Sequence, residues 1–176
     1  MKKYISKKRI IWGVLGILGI LGLLGRLGKL EGLKNKTYLV TEVIDGDTIK
    51  IKDKKLKIKN LIFGNGENEV LDIRYIGIDT PELAKGEKKD ECYAEKAKKI
   101  NEKLLLGKKV RIETDKNELD NYGRTLAYVY MDKIFINQYL LEQGVGEFFL
   151  DTVNLKYQNE LIKAAEKGYK EKQGLW

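Results

Sequence analysis

Histidine is absent from all 176 residues, which excludes a histidine general base, a Ser-His-Asp triad and a His-ligated zinc. Any catalysis here runs on carboxylates, arginines and a metal. A single cysteine, Cys92, leaves no partner for a disulfide, and its place in an amphipathic helical pattern predicts a small buried side chain. The one proline, Pro81, lies between Asp79 and Glu82, and proline holds the residue before it extended. Acidic residues are nearly missing from the first 36 positions, where nine Lys or Arg face one Glu, whereas 25 bases balance 25 acids in the rest. The net charge of +8 therefore describes the N-terminus and is no argument for nucleic-acid binding by the folded part. An electropositive site has to be built locally.

At 43% hydrophobic and 34% charged, the composition is that of an ordinary globular chain long enough for one core. The N-terminal end differs. Lys2, Lys3, Lys7, Lys8 and Arg9 precede an apolar run from Ile10 to Leu24, and glycine-punctuated residues carrying Arg26 and Lys29 follow it. As a helix at about 1.5 Å per residue the run spans roughly 22 Å, short of the ~30 Å hydrocarbon core unless residues to 27 join it with Arg26 snorkelling. Gly13, Gly16, Gly19, Gly22 and Gly25 fall three apart, whereas A-x-A-like signal cleavage needs small residues two apart. The sequence thus predicts an N-terminal hydrophobic helix, residues 10–27, acting as an uncleaved membrane anchor. Secretion after signal cleavage, or a buried helix of a soluble domain, are the alternatives. Residues 1–36 form the signal/anchor segment and linker, and residues 37–176 the domain. Lys7-Lys8-Arg9 abuts the run while the later bases are spread out, which favours a domain facing the extracellular side.

Within the domain, Thr37 to Asp45 alternates and reads as a strand, Asp45-Gly46-Asp47 as a turn, and Thr48 to Lys52 as a strand with Ile49 and Ile51 inward. A hairpin about Asp53-Lys54 points Leu56 and Ile58 inward and leaves lysines on the other face, and Gly64-Asn65-Gly66 is a further turn. The lysine face is a solvated sheet face or a phosphate track. Val70 to Ile78 continues an antiparallel meander. Cys92 to Leu106 reads as a helix with Tyr93, Ala97, Ile100, Leu104 and Leu105 on its core face. Lys109–Glu113 and Arg124–Met131 read as strands. Asn137 and Asn154 stand where they can cap helices running to Gln143 and about Lys170, the latter with Leu155, Leu161, Ile162, Ala165 and Tyr169 as its apolar stripe. This order, without a βαβ rhythm, argues for an α+β fold with a small barrel.

The densest chemistry lies in Arg74-Tyr75-Ile76-Gly77-Ile78-Asp79-Thr80-Pro81-Glu82. Strand alternation turns Arg74 and Asp79 to opposite faces, so a bulge at Gly77 or the strand end is expected to reunite them. Asp79, the Thr80 carbonyl and Glu82 can then converge as hard oxygen ligands, which suit calcium. The plainer reading makes the acids turn and cap residues and the arginines their surface ion-pair partners.

Three segments occur in order: Asp45-Gly46-Asp47-Thr48, Arg74 with Asp79-Thr80-Pro81-Glu82, and Asp120-Asn121-Tyr122-Gly123-Arg124-Thr125. With Glu91-Cys92-Tyr93-Ala94 and Leu141-Glu142-Gln143-Gly144, they resemble the staphylococcal-nuclease-like (thermonuclease) family from about Thr37 to Trp176. The resemblance implies an OB-fold five-stranded β-barrel with three helices. It implies a calcium-dependent nuclease that hydrolyses DNA and RNA phosphodiesters to leave 3′-phosphate ends. It also implies calcium held by Asp47, Asp79 and the Thr80 carbonyl, Arg74 and Arg124 clamping the phosphate, Glu82 beside the attacking water, and Tyr122 hydrogen-bonding on the 3′ side. Elementary chemistry agrees, because two arginines and a divalent cation meet the charge of an in-line phosphoryl transition state without protons to manage. The chain departs from the family in an extra stretch, Asn60 to Glu69. It departs again at Phe148-Phe149-Leu150-Asp151-Thr152, where the family often has tyrosines, so base stacking falls to Phe149. A reading from another class is a non-catalytic nucleic-acid-binding OB module tethered to the membrane, but such a module needs no metal cage. No protein partner is inferred.

Overall fold

In a computed structural model, residues 36–52, 70–84 and 89–176 are described. The expected anchor helix, the hairpin about Asp53-Lys54, the turn at Gly64-Asn65-Gly66 and the extra stretch lie outside them. The elements are β1 (Thr37–Val43), β2 (Thr48–Lys52), β3 (Val70–Tyr75), β4 (Ile78–Asp79), α1 (Ala94–Leu105), β5 (Lys109–Glu113), β6 (Thr125–Met131), β7 (Ile134–Phe135), α2 (Ile136–Glu142), β8 (Glu147–Phe148) and α3 (Gln158–Lys170).

Alternation along the strands sets the core. Ile49, Ile51, Ile73, Val110, Ile112 and Val129 are fully or almost fully buried, each worth about 1.5–3 kcal/mol of burial. The sheet runs β3-β2-β1-β5-β6-β7, and a parallel pairing of β3 with β6, Ile73 opposite Thr125, closes its first five strands into a barrel. A closed five-stranded barrel with three helices is consistent with the OB-fold. The pairing is antiparallel except at that closure, and the expected meander holds only within β1-β2-β3 and β5-β6-β7, because β1 pairs with the distant β5.

Several local expectations are corrected. The strand expected over Val70 to Ile78 breaks after Tyr75, because Gly77 takes φ 79 and turns the chain into β4. The first strand stops at Val43 rather than Asp45. The first helix starts at Ala94, not Cys92, since Tyr93 is left-handed at φ 77; Cys92 is exposed, not buried. The buried residues of α1 are Ala94, Ala97, Asn101 and Leu105, which rotates the core face by one position from that expected. Neither asparagine caps a helix. Asn137 is itself helical and fully buried, accepting from Val129 N–H at 2.9 Å and donating to the Ile76 carbonyl at 2.8 Å. Asn154 precedes a helix that begins only at Gln158, and α3 buries Leu161, Ala164 and Gly168 while Leu155 and Tyr169 stay exposed. No helix among the described residues is long and apolar enough to cross a membrane.

Candidate active site

The site grows from two turns. In the first, Asp45 Oδ1 accepts the Asp47 N–H at 3.0 Å, the self-bonding turn that Asp-Gly-Asp favours. Gly46 is required there, since a Cβ at that position would lie 2.7 Å from Thr80 Oγ1. Asn101, buried on α1, donates to the Asp45 carbonyl at 3.1 Å and accepts from Tyr75 Oη at 3.2 Å, so the helix holds the turn against the barrel. In the second, β4 pairs with β8, Asp79 opposite Glu147, and Phe149 N–H reaches the Gly77 carbonyl at 3.2 Å.

These turns bring Asp47, Arg74, Asp79 and Thr80 together. Arg74 Nη1 lies 3.0 Å from Asp47 Oδ1 and Nη2 lies 2.6 Å from Asp79 Oδ1. Nη1 also donates to the carbonyls of Ile78 at 2.7 Å and Tyr75 at 3.1 Å. The irregularity expected at Gly77 or the strand end therefore does fold Asp79 back onto Arg74, as a turn at Gly77 between β3 and β4 and not as a bulge within one strand. Asp47 is 1% exposed, and its Oδ2 accepts from Thr80 N–H at 2.8 Å and Oγ1 at 2.9 Å. Burial pushes the Asp47 carboxyl up to about 7 even though Arg74 pulls it down.

Arg74, Asp79, Tyr122, Arg124 and Phe149 line one cleft of about 340 Å³. Tyr122 is 87% exposed and stands beside Arg124, whose guanidinium carbon lies 5.5 Å from the ring centre. Phe149 is exposed as well. Glu82 is exposed and outside the lining of that cleft; its backbone is tied to Glu91, N–H to carboxylate at 2.9 Å and carbonyl to N–H at 3.0 Å.

Asp120 stands in the third motif, yet the sequence assigned it no role. Asp120 Oδ1 accepts the N–H groups of Tyr122 and Arg124, both at 2.9 Å, and Oδ2 accepts Arg124 Nε at 2.6 Å. Burial works against these charges, but the pair holds Asp120 below and Arg124 above their ordinary values. An aspartate four residues before an arginine, with glycine between, was the available signal. Asn154 joins the two sides of the cleft, bonding both N–H and carbonyl of Asn117, at 2.8 and 2.9 Å, while Asp151 accepts its backbone N–H. No sequence signal distinguishes that role from a helix cap.

The family profile described as Staphylococcal nuclease homologue matches residues 72–176. The chain belongs to the staphylococcal nuclease family. A thermonuclease of Staphylococcus hyicus is 39% identical over 148 residues, covering 82% of this chain and 80% of that one. A thermonuclease of Staphylococcus intermedius is 34% identical over 144 residues, with 82% and 78% covered. The SPbeta prophage-derived endonuclease YokF of Bacillus subtilis is 34% identical over 135 residues, 76% of this chain but 41% of its own. This family member carries its candidate residues on β3 and β4 and on the turns and loops that follow β1, β4, β5 and β8.

As to metal, no three Asp, Glu or Cys side chains among the described residues gather into a complete cage. The donor chemistry nevertheless fits a hard cation. Two carboxylates, Asp47 and Asp79, already share one positive charge, the Arg74 guanidinium, and the other groups bonded to Asp47 are the Thr48 and Thr80 hydroxyls and the Thr80 N–H, none of them sulfur.

Proposed function

We propose that the protein is a calcium-dependent nuclease hydrolysing DNA and RNA phosphodiesters to 3′-phosphate ends. The observation that carries this reading is the convergence of Arg74 and Arg124 on one cleft with Tyr122 and Phe149. Family membership, with relatives named thermonuclease and endonuclease, supports it. Asp47, Asp79 and the Thr80 carbonyl would hold the calcium, and what the ion supplies when bound is positive charge against the phosphate and the attacking water. Arg74 and Arg124 pair with the non-bridging oxygens, most strongly as charge grows in the transition state. Glu82 positions a water and accepts its proton as the new phosphorus–oxygen bond forms; the bond to the 5′ oxygen breaks, that oxygen leaving with the bonding pair and taking a proton from solvent water to become the 5′ hydroxyl, and the phosphate stays on the 3′ side. Tyr122 hydrogen-bonds on that side, and Phe149 stacks a base.

The test is cleavage of single-stranded DNA and of RNA by the full chain, in calcium and in chelator. Cleavage in calcium alone, with ends a polymerase extends only after phosphatase treatment, is the expected result. Binding without cleavage gives instead the non-catalytic OB module. We further propose that residues 10–27 anchor the domain in a membrane with the nuclease facing outward.

A further inference from the structure

A second groove, about 480 Å³, runs along α1 beside α2 and the C-terminal turn. Its α1 wall carries Tyr93, Lys96, Ile100 and Lys103, spaced as one stripe of the helix and distinct from the core stripe of Ala94, Ala97, Asn101 and Leu105. Neighbouring lysines are neutralised within the helix, Lys99 by Glu95 at 3.0 Å and Lys98 by Glu102 at 3.9 Å. Lys96 and Lys103 form no ion pair with any described residue, and Lys96 lies 4.9 Å from the Tyr93 ring centre. Tyr139 of α2 supplies a second ring on the far side.

Two lysines without an ion-pair partner among the described residues, and two phenol rings over apolar side chains, match a polyanion that also offers flat faces. The Tyr93 end is also joined to the candidate active site, because Glu91 holds the backbone of Glu82 on both sides. We propose that this groove is an accessory track for single-stranded nucleic acid, gripping the strand beyond the segment in the cleft. The proposal rests on the nuclease reading for its purpose, not for whether the groove binds.

The test is binding of a long and a very short labelled single-stranded oligonucleotide by the full chain in chelator, across a salt series, followed by cleavage in calcium. Lys96→Gln with Lys103→Gln should lower the slope of log affinity against log salt for the long strand by about 1.4, at about 0.7 for each phosphate no longer neutralised. Affinity for the short strand and its cleavage rate should stay unchanged. Lys98→Gln with Lys99→Gln makes the same charge change on another stripe and should leave the long-strand slope as it was. Equal slope changes in the two double variants, or equal losses on short and long strands, would overturn the track, as would polyglutamate competing as well as the long oligonucleotide. The predicted slope difference without any cleavage refutes the nuclease reading and supports the groove. Cleavage without the slope difference refutes the groove alone.

Discussion

At the scale of the residue, Asp47 sets function against stability. Burial raises its pKa to about 7, so its environment favours the neutral side chain, yet the proposed role as a calcium ligand needs the charged one. The isosteric Asp47→Asn removes the buried charge while Thr80 N–H keeps an acceptor. In chelator at pH 8 this variant should melt about 5 °C higher than the parent by calorimetry, while nuclease activity in calcium falls on the order of 100-fold. Asp120 poses the opposite case, a residue that orients Arg124, the side chain proposed above to pair with the phosphate. Asp120→Asn keeps an acceptor for the two backbone N–H groups but presents an amide to Arg124 Nε in place of a carboxylate. Turnover should drop about 100-fold with KM little changed. Adding the change to Arg124→Lys should cost little more than Arg124→Lys alone, because the two act as one unit. Additive losses in that double-mutant cycle would place Asp120 in a separate, merely structural role.

At the scale of the element, β5 is fastened to the entry of α3 by one carboxylate. Glu113 accepts from Lys156 Nζ, from Tyr157 Oη at 3.2 Å and, at 3.5 Å, from Arg111. Burial alone raises its pKa, but the hydrogen bonds and charge of Lys156, with Tyr157 and Arg111, hold it below the ordinary 4.5. A depressed folded-state pKa contributes stability above the unfolded value, and that contribution is lost as pH falls through the folded value. Glu113→Gln should therefore lower the melting temperature by about 3 °C at pH 7, and the gap should close as pH drops below 4.5. A gap independent of pH would mean that packing, not charge, joins β5 to α3. Elements of this kind were legible where alternation was strong: β2 and β5 match the expected strands end for end. Asn101, Asn137 and Asn154 were not, because a buried polar side chain that staples distant backbone looks, in sequence, like a cap or a break. An irregularity at Gly77 or the strand end was legible, since strand alternation alone turns Arg74 and Asp79 to opposite faces, but that it splits the strand rather than bulging it was not.

At the scale of the whole molecule, closure of the barrel through β3 and β6 could be expected only by resemblance, as no local pattern encodes a pairing across Ile73 and Thr125. The cleft is equally non-local, its sides coming from loops tied by Asn154. Where the domain works rests on sequence alone. Three basic residues abut the apolar run on its N-terminal side, and the bases beyond it are dispersed, which favours retention of the N-terminus inside. The proposed ion leads to the same side. On that proposal, a site of two carboxylates and neutral oxygens would bind calcium modestly, so it would fill at extracellular concentrations, stay nearly empty in cytosol and spare the cell's own nucleic acid. Protease added to intact cells should then remove the domain and release nuclease activity into the medium. A domain protected until lysis would reverse the orientation, and a domain found free in untreated medium, starting near residue 30, would replace the anchor with a cleaved signal.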